Sequence, residues 1–390
     1  MDRDENLTPA EGTSFHAVPG GGVVYNAAQG HLYALNPVAG VAWLCLTDGI
    51  SKDETTSTIA RTFDIERTTA AAWFHDSLEM FRSLGLLGPF TRVPEPSKVE
   101  VQSRSSSAKP LSGGGVDYQL LDTTFRLRAP TPIRSQIDSL IGNLLVDPSK
   151  NARPSIHIDI APHGDEWDIM MNGQFTTRCE SNSVAAELEQ ILVQAIVPAT
   201  PHLMALHAAA LQHDGRIWLL AGSSGVGKTT LSAALVRAGW SFGSDELVLL
   251  GRDLSLRALP LPPCIKSESY SLVETWFPEL RATPEQNRLG GIVKYLSIKS
   301  TPLGKGRINI IFPDRTAHQE NNKIEPLDCF SGLQRLLEQC IYIPSGLKSQ
   351  DVERLLRWHA DRRYFVLNFN DCSAAVTLLT DFDPEAWPLH

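Results

Sequence analysis

Gly222-Ser-Ser-Gly-Val-Gly-Lys-Thr229 decides how the rest of this chain is read. It satisfies G-x-x-x-x-G-K-[ST] at every position, the pattern of a phosphate-binding P-loop. Its three glycines let the backbone wrap a triphosphate and turn N–H groups inward. The expected cradle is Gly222, Ser223, Ser224, Gly225, Val226, Gly227, Lys228, Thr229 and Thr230. In such a cradle Lys228 reaches the outer phosphates of ATP, and the Thr229 hydroxyl ligates Mg²⁺. Upstream, Arg216–Ala221 is a short apolar run that reads as a buried strand. Downstream, Thr230 to Ala238 reads as a helix closed by Gly239. Strand, loop and helix stand in the required order. The helix N-terminus adds its positive dipole end to the cradle.

Bulk properties narrow the class. The chain has 390 residues, 42% hydrophobic and 20% charged, as expected of a globular protein of two or three domains. A net charge of −9 argues against nucleic acid as the main partner. The polar start Met1-Asp-Arg-Asp-Glu-Asn6 is no secretory signal, and no apolar run is long enough to span a membrane. The six cysteines are scattered without a C-x-x-C pair, which favours a cytoplasmic protein with buried thiols over a disulfide framework or a cysteine metal site.

One break in composition divides the chain. Residues 91–115, TRVPEPSKVEVQSRSSSAKPLSGGG, are rich in Pro, Ser and Gly, and read as a flexible linker. As a random coil it would span roughly 28 Å. Before it, residues 12–90 read as two strands, Gly22–Tyr25 and Leu32–Leu35, followed by helices over Pro37–Leu46, Glu54–Thr62 and Thr69–Leu84. That plan is winged-helix-like. Five Lys/Arg against eleven Asp/Glu in residues 1–90 give a net charge of −6, which argues against a role gripping DNA phosphates. After the linker, residues 116–390 form the larger body. Its accessory α+β portion, 116–200, includes strands Ile156–Ile160 and Asp168–Met171 and a helix Ser183–Ala195. That portion is expected to pack against the nucleotide-binding core, 201–390.

The first domain resembles PqqD-like proteins, also called RiPP recognition elements. Val23-Val-Tyr-Asn26, His31-Leu-Tyr-Ala-Leu-Asn36, Gly40-Val-Ala-Trp43 and Leu84-Gly-Leu-Leu87 carry the resemblance over nearly all of residues 15–88. The resemblance implies a module that binds the leader of a ribosomally made precursor peptide. The leader would add a strand beside Leu32–Leu35, against helix 69–84. Leu35 and Trp43 themselves read as core.

The second resemblance rests on Leu206-His-Ala-Ala-Ala-Leu211 before the P-loop and Gly243-Ser-Asp-Glu-Leu-Val-Leu-Leu250 after it. Asp245 and Glu246 follow Lys228 by only 17 and 18 residues, which is short for the acid partner of a P-loop. Together these stretches resemble the HPr kinase/phosphorylase catalytic domain over about residues 203–251. The resemblance implies His207 as the active-site histidine and Asp245 as general base toward a substrate hydroxyl. It implies Glu246 as the second acid, with Thr229, Asp245 and Glu246 holding Mg²⁺. Gln286-Asn-Arg-Leu-Gly-Gly291 is a loose echo of the family's Glu-Ile-Arg-Gly-Leu-Gly signature. Arg288 falls on its Arg, while Gln286 replaces its Glu. Lys266 and Lys294 are further cations that could clamp a phosphoryl group. Relatives are often hexamers, so the resemblance also implies a homo-oligomer.

The expected fold class is therefore α/β and α+β multidomain: a winged-helix-like peptide-binding module plus an HPr kinase-type P-loop domain. The expected activity is ATP- and Mg²⁺-dependent phosphorylation of a Ser or Thr hydroxyl on a precursor peptide, of the kind associated with lasso-peptide clusters. A small-molecule or carrier-protein kinase of the same fold, and a non-kinase assembly factor that binds ATP, stay open as alternatives.

Overall fold

The computed structural model describes residues 7–88, 114–146, 153–315, 322–344 and 346–387. Nearly all of the linker read at 91–115 lies outside them. The described chain divides into two compact units. One joins residues 7–88 to Leu327–Arg362, and the other joins residues 114–326 to Arg363–Trp387. Among the described residues no helix is long and apolar enough to cross a membrane.

The first unit opens with an antiparallel sheet of β1 (Thr13–Val18), β2 (Gly21–Asn26) and β3 (His31–Leu35), in that order. β1 is absent from the sequence reading, because TSFHAV offers one large apolar residue among polar ones. Three helices follow: α1 (Pro37–Thr47), α2 (Lys52–Phe63) and α3 (Arg67–Ser83), each within a few residues of its expected bounds. Asn36 caps α1 by accepting from the Ala39 N–H at 2.9 Å, and Pro37 takes the first turn, where a missing N–H costs nothing. Ser51 and Glu54 form the start of α2, and Asp64 ends it in the left-handed region at φ 52°. Val24, Leu35, Trp43, Phe74 and Phe81 fill the space between sheet and helices. Trp43 and Phe81 meet edge-to-face, with centroids 5.2 Å apart.

The accessory portion runs β4 (Val116–Leu120), β5 (Thr123–Arg128), α4 (Arg134–Ile141), β6 (Ile156–His163), β7 (Glu166–Met171), β8 (Gln174–Glu180) and α5 (Val184–Ile196). Its five strands are ordered β4-β5-β6-β7-β8, with only β5 and β6 parallel. Ile137, Ile158, Leu188 and Leu192 share one hydrophobic core with Ala205, Leu247 and Leu249. The accessory portion is thus packed onto the core that follows it in the chain.

That core contains β9 (Met204–Leu206), β10 (Ala208–His213), β11 (Arg216–Ala221), α6 (Lys228–Arg237), β12 (Ser241–Ser244), β13 (Val248–Leu250), β14 (Leu256–Ala258), β15 (Cys264–Lys266), α7 (Tyr270–Trp276), β16 (Gln286–Arg288), β17 (Gly291–Tyr295), β18 (Arg307–Arg315) and β19 (Lys323–Leu327). The chain then leaves for α8 (Cys329–Glu338), β20 (Cys340–Tyr342) and α9 (Ser349–Ala360), and returns with β21 (Arg363–Phe369) and α10 (Cys372–Asp381). The main sheet is ordered β12-β10-β11-β18-β21-β19. β11, β18 and β21 are parallel, so the loop after β11 opens at their C-terminal ends, where open α/β sheets bind ligands.

The excursion Leu327–Arg362 departs from the expected single body over 116–390. The reason lies in β2. Val23, Val24 and Tyr25 are all buried, so this strand needs cover on both faces. Helices α1–α3 cover the Val24 face, while Tyr25 lies near Leu347 and Asp351. Phe330 of α8 fits the β1–β2 turn so closely that a Cβ on Gly20 would lie 2.8 Å from it and one on Gly21 2.7 Å. Phe330→Ala is expected to cost about 3 kcal/mol locally. Hydrogen exchange should then show amides of Gly21–Asn26 exchanging about 100-fold faster, with protection of α6 unchanged.

Candidate active site

His207 and the Asp245-Glu246 pair meet because two strand runs break at the same place. β10 pairs with β12 through Ala210 and Ser244, and β9 pairs with β13 through Leu206 and Val248. Each run passes from the main sheet into the sheet of β14, β13 and β9. His207 is the single residue between β9 and β10, and Asp245, Glu246 and Leu247 fill the opposite gap between β12 and β13. At a break the backbone is freed from strand alternation, so neighbouring polar side chains can turn to one side.

They turn into a cavity of ≈ 390 Å³. Its walls include Ser224, Gly225, Gly227, Lys228, Thr229 and Thr230 of the loop, together with His207, Asp245 and Glu246. Lys266, Arg288 and Arg315 bring further positive charge, and Cys264 adds a thiol. Gly225 and Gly227 both take φ of 93°, a conformation that disfavours any side chain. Gly222, Ser223 and Val226 do not line the cavity. The carbonyls of Gly222 and Ser223 instead accept from Lys228 Nζ, the latter at 3.1 Å. A Cβ on Gly222 would lie 3.4 Å from Val226.

Burial sets the electrostatics. Asp245 is 4% exposed, and its Oδ1 has no hydrogen-bond partner. Burial pushes its carboxyl up to about 7, although the nearby Thr229 and Ser232 hydroxyls pull it down. Burial also lowers Lys228 and His207, and in His207 the Lys228 ammonium adds to the effect. His207 is therefore a neutral imidazole at neutral pH, able to accept or pass a proton. Glu246 Oε1 accepts from Arg288 Nη2 at 3.1 Å. Burial works against the Arg288 charge, but Glu189 and Glu246 more than offset it and raise its pKa. Cys264, raised to about 12 by burial, stays a thiol.

The sequence candidates separate here. His207, Lys228, Thr229, Asp245, Glu246, Lys266 and Arg288 come together. Lys294 does not join them, because alternation along β17 sends Val293 to the cavity and Lys294 to the other face. There its Nζ lies 3.8 Å from Glu274 and 4.7 Å from the Tyr270 ring. Gln286 is fully buried and off the cavity. Several groups in and behind the cavity escaped the sequence reading, Arg315 and Glu189 among them. Arg315 ends β18, and the apolar run Ile308–Phe312 marks that strand as a neighbour for the P-loop strand. Glu189 sits behind the cavity on α5, and its signal was a carboxylate at the apolar spacing Ala185, Leu192, Ile196.

The residues fit a nucleotide-bound Mg²⁺. Among the described residues no three His, Cys, Asp or Glu groups gather as a metal site of their own. Thr229, Asp245 and Glu246 would supply part of a shell whose remainder comes from phosphate oxygens and water, the habit of this cation.

The comparisons with known proteins bear on the first unit. Residues 21–87 match the family model of coenzyme PQQ synthesis protein D (PqqD). The PqqD-like span thus begins at β2 and ends just after α3. No curated protein matches the chain. Among solved structures it is similar to TbiB1 in complex with the TbiA(beta) leader peptide, at 18% identity over 21% of this chain and 94% of that one, with a TM-score of 0.20.

The raised Asp245 carboxyl gives a pH signature. As pH rises from about 4 to about 7, the unfolded chain ionises this group while the folded chain holds its proton, so folding loses stability through that window. Asp245→Asn should remove the loss. Without nucleotide or metal, the variant should match the parent near pH 4 and exceed it by roughly 3–5 kcal/mol at pH 8.5 in denaturant titrations.

Proposed function

We propose that this chain is an ATP-dependent kinase of the HPr kinase type that phosphorylates a Ser or Thr hydroxyl on a precursor peptide held through its leader by the PqqD-like module. The observation that carries the kinase half is Asp245. A structural carboxylate buried this deeply is normally paired or fully hydrogen-bonded, and this one keeps an oxygen unpartnered beside the P-loop threonine. In the metal-free site burial holds its carboxyl at about 7, a range in which it can take up a proton at neutral pH.

In this reading the loop N–H groups and Lys228 hold the β- and γ-phosphates, with Arg315 and Lys266 on the open side. Asp245 takes the proton of the acceptor hydroxyl, and His207 orients that hydroxyl. The oxygen bonds to the γ-phosphorus as the bond to the β–γ bridging oxygen breaks, and ADP leaves with that oxygen. Mg²⁺ bound at Thr229, Asp245 and Glu246 would neutralise charge building on the bridging oxygens. Most of the catalysis is positioning and charge stabilisation.

The peptide half rests on the PqqD-like match over residues 21–87 and on β3, one of the two edge strands of its sheet. An extended leader would pair with that edge, gaining register from backbone hydrogen bonds and choice from side-chain pockets.

The test is mass spectrometry of the precursor peptide encoded beside the gene, after incubation with Mg-ATP. One phosphate is expected on a core Ser or Thr. Removing the leader should lower kcat/KM by roughly 100-fold or more. Asp245→Asn should lower kcat by about 10²–10⁴-fold. A full-length peptide left unmodified by enzyme that still turns over ATP on another acceptor overturns the peptide-kinase reading. Equal rates with and without the leader overturn the recognition role.

A further inference from the structure

Arg288 stands between two carboxylates of different character. Glu246 projects into the cavity with its side chain 41% exposed, at 3.1 Å from Arg288 Nη2. Glu189 lies behind the wall with its side chain 6% exposed, at 3.6 Å from the same nitrogen. Glu189 Oε2 also accepts the Tyr295 hydroxyl at 2.7 Å. Arg288 thus faces two acids at the edge of the expected polyphosphate site, and a divalent cation that drew Glu246 away would leave Arg288 free to address phosphate.

The two acids are not equally able to leave. Glu189 is fixed by α5, by Tyr295 and by its burial. Glu246 belongs to a strand break and is half exposed, so it can rotate at little cost. Arg288 has donors enough to keep one acid and still address a phosphoryl oxygen.

We propose that Glu189, from the accessory portion, is a positioning residue for the phosphoryl-transfer site: with Tyr295 it anchors Arg288 at the cavity wall, so that Glu246 can pass from Arg288 to Mg²⁺ while Arg288 stays to meet the transferring phosphoryl group. This deepens the kinase reading and rests on it. The arrangement makes the accessory portion part of the active site, since β16 and β17 carry Arg288 and Tyr295 while α5 carries their anchor.

The test uses the full chain with Glu189→Gln, Arg288→Met and the double variant. Calorimetry with a non-hydrolysable ATP analogue, with and without Mg²⁺, is paired with kcat and KM on the precursor peptide and with Tm. Glu189→Gln is nearly isosteric and still accepts from Tyr295. It should leave analogue affinity without Mg²⁺ and peptide KM within about 2-fold, while lowering kcat and the Mg²⁺-dependent gain in analogue affinity by about 10–100-fold. The double variant should be no worse than Arg288→Met alone, because Glu189 acts only through Arg288. Multiplying losses in the double variant overturn the proposal, as does a Glu189→Gln protein that loses Tm but keeps kcat and the Mg²⁺ gain. Should Glu189→Gln fail to fold, Tyr295→Phe removes one anchor and should show the same pattern at about 3–10-fold; the parent values would then overturn it. If the parent chain phosphorylates no acceptor, the kinase reading fails by itself, and the Mg²⁺-dependent analogue binding of the three variants still decides the role of Glu189.

Discussion

The site depends on one constraint, the seam at which two paired strand runs change sheets together. β9 continues into β10 across His207, and β12 continues into β13 across Asp245-Glu246-Leu247. Had either run stayed in one sheet, alternation would have sent neighbouring residues to opposite faces, and Asp245 and Glu246 could not have shared a cavity. The seam also explains the burial of Asp245. Apolar β9 and β13 pack against α4 and α5, and Asp245, in the gap just before β13, is left 4% exposed at the cavity wall.

Burial then divides the charged groups by job. Lys228, at 6% exposure, cannot wander, and its ammonium is held by the carbonyls of its own loop. Arg288 is held from behind. Lys266 and Arg315 line the same cavity. In the kinase reading a phosphate chain would meet both fixed and adjustable cations there.

Much of this was legible in the sequence, for a physical reason. The P-loop and its strand and helix are local features, set by glycine conformations and short-range periodicity, and β11 spans the very residues read from the sequence. Helices α1–α3 were legible through caps such as Asn36 and Ser51 and through amphipathic spacing. What escaped depends on distant partners. β1 owes its existence to pairing with β2, since its own side chains are too polar to announce a strand. Lys294 read as a free cation, and only strand parity shows it turned toward Glu274. Glu189 was hidden because a single acid on an apolar helix face gains meaning only from Arg288, 99 positions further along.

The excursion Leu327–Arg362 changes how the first unit must be thought of as tethered. From the sequence, one stretch of about 25 residues carried the PqqD-like module, and tethering followed from the length of a coil. The chain in fact passes between the units again at Leu327 and at Arg363, where β19 ends and β21 begins. Neither crossing contains a spacer; two neighbouring strands of the P-loop sheet run directly into the segment that covers the back of β2. The family match stops at residue 87 and contains neither crossing, so the segment that covers the back of β2 comes from chain outside the matched span.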